Sequence, residues 1–364
     1  MNTLVPLELY FPVYINLLLF LAVFTLLHTG ILKMEDHRNV TFINISGYIL
    51  IVFLILYLGQ RPLSGRYFGD MRTYTRYFEW YQNGGEILGS KDIFFHMYMK
   101  GLSSVVSLHT FFTICAAIYI LPLYRVSKKL FNQYWYYAFV MFVVSFSFYT
   151  YGVNGIRNGM ATSLFLLAIS NHKNKVIMGL CFLLSVSFHK TMFLPTIAFL
   201  ITYLYNNPKT YLKGWLVCIP LSLVMGSVWI ALFSSLGFAD DRLSGYLTAE
   251  VKEGTFASTG FRWDFLFHSA FAVFAGWYFV YKKKYEDKLY FQLLNTYLIS
   301  NGFWVLVIRA NYSNRFAYLS WFMMGLVIIY PFLKERFFRN HHFMLGKVIL
   351  VYFSFTYLMF YLYS

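Results

Sequence analysis

Apolar runs of about 17–25 residues recur along the whole chain, each long enough to cross roughly 30 Å of hydrocarbon. No other feature restricts the fold so much. A segment inside a bilayer must satisfy its own backbone hydrogen bonds, which an α-helix does. The 364 residues are 59% hydrophobic and 12% charged. The expectation is one all-α transmembrane domain over 1–364, with no separate soluble domain. Twelve spans are expected: 10–32, 42–58, 108–124, 135–150, 160–170, 176–188, 192–205, 215–236, 265–281, 289–308, 316–333 and 344–363. The fifth to seventh are short, so they are tilted, broken or extended into the flanking loops. The stretch before the first span carries Glu8 and no Lys or Arg, unlike the basic start of a signal peptide. Cys115, Cys181 and Cys218 all fall in apolar segments and read as buried thiols, not as a disulfide or metal framework.

A formal charge of +15 would suit nucleic acid. Its distribution argues instead for membrane topology, because the cations come as short clusters between apolar runs. Placing 33–40, 125–133, 171–175, 206–214, 282–288 and 334–343 in the cytoplasm, with Lys347, puts 13 Lys, 4 Arg and 5 acids inside. The outer side then holds 4 Lys, 9 Arg and 10 acids, and both termini face outward. Topology needs only positive charge, and lysine supplies it inside. The outer preference for arginine asks for another reason, and arginine's planar fork of donors suits phosphate or carboxylate. The plainer alternative is that outer arginines pair with outer acids.

Two outer loops are long. Residues 59–92 are rich in Arg, Tyr and Gly; with the apolar 93–107, which reads as an interfacial or re-entrant helix, they make an outer region 59–107. Residues 237–264 mix acids, Gly and Ser/Thr. Aromatics make up 22% of the chain, mostly as lipid-facing or belt residues.

Five polar motifs interrupt this pattern. In 153–161, Asn154, Gly155, Arg157 and Gly159 join two very apolar segments. A charge at the membrane edge is expensive and marks a site candidate; the alternative is a turn whose arginine snorkels to the headgroups. In 69–78, a helix would put Asp70, Tyr74 and Tyr77 on one face, with Arg72 and Arg76 on another. Asp70 could take a proton from a sugar hydroxyl, or cap the helix. His189 beside Lys190 offers a titratable group and a cation, though a lone His at a membrane edge is more often structural. Arg262 enters the ninth span, where it could simply pair with Asp264. The last cluster, 309–318, holds Arg309, Asn314, Arg315 and Tyr318. His268, Gln292, Asn295 and Asn301 lie inside spans, where helix-to-helix hydrogen bonds account for them. All five motifs fall on the predicted outer side. No P-loop, HExxH or serine-elbow motif is present, which argues against an ATP-driven pump and the common hydrolases.

At these residues the chain resembles the EpsG-like branch of the Wzy-type polysaccharide polymerases. The likeness rests on Asp70/Tyr74, Ile156/Arg157/Gly159/Ala161, His189/Lys190 and Asn314/Arg315/Phe316/Tyr318. Asn158 and Thr191–Met192 depart from the usual pattern, changes expected to affect fit more than reaction type. The resemblance implies a GT-C-like glycosyltransferase in the bacterial inner membrane. It would join oligosaccharide repeat units carried on undecaprenyl diphosphate at the outer, periplasmic face, making O-antigen, capsule or exopolysaccharide. On that reading Arg157, Arg262 and Arg315 hold the donor diphosphate, with Arg309 and Lys190 as further contacts. Asp70 or His189 orients or deprotonates the attacking hydroxyl, and Tyr74, Asn154, Asn314 and Tyr318 contact the glycan. Inverting transfer without a metal or other cofactor is expected. The partners are the lipid-linked oligosaccharide and the bilayer, not nucleic acid, and a chain-length-regulating protein is left open. The other readings are a single-addition transferase or ligase, a flippase or transporter for the lipid-linked glycan, and a membrane acyltransferase with His189 as base.

Overall fold

A computed structural model of the chain describes residues 5–88, 92–235, 260–310 and 313–363. Among the described residues every regular element is helical. In chain order these are α1 (Tyr10–Ile31), α2 (His37–Gly59), α3 (Met71–Gln82), α4 (Ile93–Ser103) and α5 (Leu108–Phe131). Next come α6 (Trp135–Val143), α7 (Phe148–Val153), α8 (Ile156–Ser170), α9 (Lys175–Phe188) and α10 (Phe193–Leu204). The remainder are α11 (Pro208–Ser235), α12 (Trp263–Trp277), α13 (Lys288–Leu306), α14 (Asn314–Lys334) and α15 (His341–Tyr363).

Among the described residues, six stretches are long and apolar enough to cross a membrane: Leu7–Ile31, His37–Gly59, Leu108–Val143, Pro208–Phe233, Asn314–Lys334 and His341–Leu362. Shorter apolar helices cover Ile156–Ser170, Lys175–Phe188 and Lys190–Leu204. Large apolar side chains point outward, among them Ile31, Val176, Leu204 and Val224, each more than 70% exposed. A helical membrane protein accounts for all of this. Most of the second long loop, 236–259, lies outside the described residues, as do Asn311 and Tyr312 of the last motif.

Helix starts follow from local chemistry. On the side assigned to the cytoplasm, an Asx side chain accepts a backbone N–H at the start of α2, α9, α11 and α13. Asp36 accepts from Arg38, Asn174 from Ile177, Asn207 from Lys209 and Asp287 from Tyr290.

The chain falls into two compact units, Met1–Phe193 with Phe332–Ser364, and Leu194–Pro331. In the first, α1 packs on α15, α2 and α8 pack on α5, α9 packs on α8, and α3 packs on α4. Trp135, fully buried, donates its indole N–H to Asn44 of α2 at 2.7 Å. The segment 135–150, expected as one span, is instead two helices, α6 and α7, split at Val144–Ser147. Ser145 bonds back to the Phe142 carbonyl at 2.7 Å, which competes with helix continuation. The carbonyls freed at the break accept from Tyr14, at 3.3 Å from Val143, and Thr356, at 3.0 Å from Val144.

The second unit has a polar core. Asn301 donates to Ser269 at 3.0 Å and Ser320 at 2.9 Å, and accepts from Trp215 at 2.8 Å. Gln292 donates to Thr202 and Asn295 to Asn206. These are the interhelical bonds expected of polar residues in spans.

Candidate functional site

The first unit builds its polar site where α7 ends and α8 begins. Asn154 and Gly155 form the link, and the two helices meet closely. A Cβ on Gly159 would lie 2.6 Å from the Tyr151 carbonyl oxygen, so glycine is what lets α8 lean on α7. Arg157, the second residue of α8, points at the α3–α4 region. Its Nη1 donates to the Asp92 carboxylate at 2.6 Å, and its Nε to the Tyr74 hydroxyl at 3.2 Å. The guanidinium also lies 5.7 Å from the ring centroids of Tyr74 and Phe95. The pair is largely out of solvent, with 13% exposure for the Arg157 side chain and 9% for Asp92. Two of the five guanidinium N–H donors serve Asp92 and Tyr74.

Asn154 ties this turn to the region 59–107. Its Oδ1 accepts the backbone N–H of Asp70 at 2.9 Å. Gly69, at φ +53°, makes room for the carboxamide; a Cβ there would stand 2.7 Å from Asn154 Cγ. Asp70 precedes α3 without a side-chain capping bond and is exposed. Tyr74 is buried one turn later and Tyr77 half-buried, while Arg72 and Arg76 are exposed, as is Asp70, which was expected to share the tyrosines' face. With its hydroxyl accepting from Arg157, Tyr74 serves as a support for the guanidinium. α4 is helical as expected; at 11 residues and about 16 Å it is too short to span.

Arg61 lies deeper. It is 1% exposed and donates to the carbonyls of Leu58, near the end of α2, and Val153, at the end of α7, the latter at 2.9 Å. Its guanidinium stacks over Phe112 at 4.8 Å and Phe68 at 5.7 Å. Two helix C-termini, whose last carbonyls lack intrahelical partners, are thus held by one cation beside the Asn154 turn.

His189 is engaged locally. Its Nδ1 lies 2.7 Å from Thr191 Oγ1 and caps the 3-10 turn Lys190–Met192. The Lys190 backbone N–H approaches Asp92 at 3.5 Å, while its side chain is exposed. So Asp92 gathers both the 153–161 and the His189–Lys190 motifs around one carboxylate.

In the second unit, Arg262 and Asp264 form a two-pronged pair, Nε to Oδ1 at 2.9 Å and Nη2 to Oδ2 at 2.5 Å. Burial raises the Asp264 carboxyl's pKa, but hydrogen bonds and charge from Arg262 outweigh this and hold it below the usual carboxylate range. The Arg262 guanidinium sits 3.5 Å over Phe265, which meets Trp321 edge-on at 5.1 Å; Tyr318 meets the same indole at 5.4 Å. Arg262 is thus linked through aromatic rings to the first turns of α14. Asn314 and Arg315 begin that helix, with Arg315 exposed. Arg309 ends the preceding turn and donates to the Leu223 carbonyl at 3.4 Å.

A family model for the EpsG family matches residues 44–364. The chain belongs to the EpsG family. Curated proteins and solved structures gave no match. The matched region contains every motif residue from Asp70 to Tyr318, so this EpsG-family chain carries the polysaccharide-polymerase resemblance along nearly its whole length.

Within the first unit of the EpsG-family chain, Asp70, Tyr74, Asn154, Arg157, His189 and Lys190 converge directly or through Asp92. Arg262, Asn314, Arg315 and Tyr318 are grouped in the second unit, with Arg309 bonded to α11. Asp92 and Arg61 were not among the sequence candidates. Asp92 had a signal, since it is an acid immediately before an apolar helix, but that pattern reads as a cap. The side chain makes no capping bond and turns to Arg157 instead.

Proposed function

We propose that this EpsG-family protein is a glycosyltransferase that joins lipid-diphosphate-linked oligosaccharide repeat units at the outer face of the bacterial inner membrane. The observation that carries the reading is Arg157, a guanidinium shielded from water and pre-oriented by Asp92 and Tyr74. A cation fixed before the reaction stabilises charge that develops during it at little reorganisation cost. In the proposed step an acceptor hydroxyl oxygen attacks the anomeric carbon of the growing chain. The bond from that carbon to the phosphate oxygen breaks, and the lipid diphosphate leaves as the anion beside Arg157. The hydroxyl proton passes to Asp70, whose carboxylate is exposed and close enough for its charge to act on Arg157. His189 is the less available acceptor for that proton, because its Nδ1 is engaged by Thr191. Direct displacement inverts the anomeric centre. The diphosphate's charge would compete with Asp92 for Arg157, which ties donor binding to the α3–α4 region. Arg262, Arg309 and Arg315 are proposed anion contacts of the second unit. The twelve-span, GT-C-like arrangement, with both termini outside, is part of the same reading.

The test is polymerisation from purified lipid-linked repeat units. Wild-type protein is expected to give a ladder of products, and a single addition would favour a ligase. Arg157→Ala should lower the rate by about 10²–10³. Arg157→Lys should recover little, because a point charge cannot serve Asp92 and diphosphate with one fork. Wild-type ladders from Arg157→Ala would end the proposal.

A further inference from the structure

The first unit has a polar concavity at the other end of its helices from Arg157. It measures about 640 Å³, well within the range of small-molecule sites. Its walls are the end of α1, the turn into α2, and the connection from α14 into α15. The cleft adjoins the start of α2, whereas Arg61 and the Asn154 turn lie at its far end. The 23 residues of α2 rise about 34 Å, so a membrane's thickness separates the two sites.

We propose that this cleft binds the phosphate group of an anionic lipid headgroup. Lys33, Arg336 and Arg339 line it. Glu35 also lines it and pairs with Arg336. Membrane topology requires cations on this side but does not require them to converge on a concavity. Elsewhere this side relies on lysine; two of its four arginines line the cleft. Guanidinium groups suit phosphate oxygens through paired, charge-assisted hydrogen bonds. The cleft is also held in shape. His342 bonds to the Leu32 carbonyl at 2.6 Å and to the Tyr137 hydroxyl at 2.6 Å. Asn39 donates to the Met34 carbonyl at 2.8 Å and accepts from His28 at 2.7 Å. The 32–34 turn is therefore fixed before any ligand arrives, which lowers the ordering cost of binding. A lipid is the source favoured, since Ile31 on the cleft wall is 81% exposed and offers an apolar path for an acyl chain.

The test uses the full-length protein in detergent and does not depend on polymerisation. Apparent melting midpoints are compared with added phosphatidylglycerol, phosphatidylcholine or inorganic phosphate. Phosphatidylglycerol is expected to raise the midpoint by about 3 °C over phosphatidylcholine, as a ligand bound only to the folded state does. The exposed pair Lys33→Gln/Arg339→Gln should lose at least half of that shift. A control, Lys173→Gln/Lys175→Gln on the same predicted side, should keep it. Equal shifts in both double variants, or no shift in the wild type, would overturn the site. A full shift with inorganic phosphate alone would overturn the lipid as its source.

Discussion

Arg157 and Asp92 are each the other's main substitute for water. At 13% and 9% exposure, neither side chain is well solvated without its partner. Breaking a buried pair by removing one member costs about 3–5 kcal/mol, because the other charge is stranded. The residual exposure trims this, so Asp92→Asn is expected to destabilise by about 2–4 kcal/mol, read as a lowered denaturation midpoint. Adding Arg157→Gln should then cost far less than it does alone; a fully additive double variant would refute direct coupling. Arg61 poses the opposite balance. Replacing it by Met leaves two carbonyls unpaired, at about 1–3 kcal/mol each. It also removes a buried guanidinium whose desolvation costs several kcal/mol. These terms nearly cancel. The expected outcome for Arg61→Met is a melting midpoint close to wild type with a ladder yield at least roughly tenfold lower, as the 153–157 turn loosens. Collapse of stability with normal specific activity would show that Arg61 only holds the fold.

At the scale of elements, the site depends on short, irregular pieces. The long helices supply rigid walls. The functional groups lie at their ends: Asp70 before α3, Asp92 before α4, Asn154 and Arg157 across the α7–α8 link. Asn154 fixes α3 to that link through one backbone hydrogen bond, and Gly69 provides the room. Gly69→Ala is therefore expected to displace Asn154 as well as to strain a positive φ, itself worth about 1–2 kcal/mol. Asn154→Ala in the same chain should relieve the collision but not the backbone strain. In that double variant part of the lost stability should return, but polymerisation should not. Full recovery of both would mean that Asn154 has no role beyond filling space. The split of 135–150 belongs to this scale too. Hydropathy saw one apolar run, whereas Ser145 and partners on α1 and α15 made it two helices.

At the scale of the molecule, the chain is organised by charge as well as by hydropathy. The cation asymmetry predicts opposite faces for the α5–α6 turn and the α3 region. With the native thiols replaced, Lys128→Cys should react with an impermeant reagent only from the cytoplasmic side, and Arg72→Cys only from the outside. Arg72 is exposed and Lys128 half-buried, and each change removes a single cation, so the folded state should survive either change. Labelling of the two from the same side would invert or abolish the topology on which the outer-face reaction rests.

By itself the sequence determined the solvent, the helical class and where charge would be expensive enough to need a purpose. Arg157 stood out because a cation at a bilayer's edge is costly wherever the chain goes. Gln292, Asn295 and Asn301 of the second unit were legible as interhelical bonds for the same reason. The sequence could not show which carboxylate answers Arg157, because Asp92 lies 65 residues away, across helices whose order of packing is set by long-range contact. Nor could it separate Arg61 from the other arginines of its loop. Burial alone distinguishes Arg61, and burial belongs to the assembled helices: only when α2, α5 and α7 close around it does an ordinary loop cation become a guanidinium held in a dry interior.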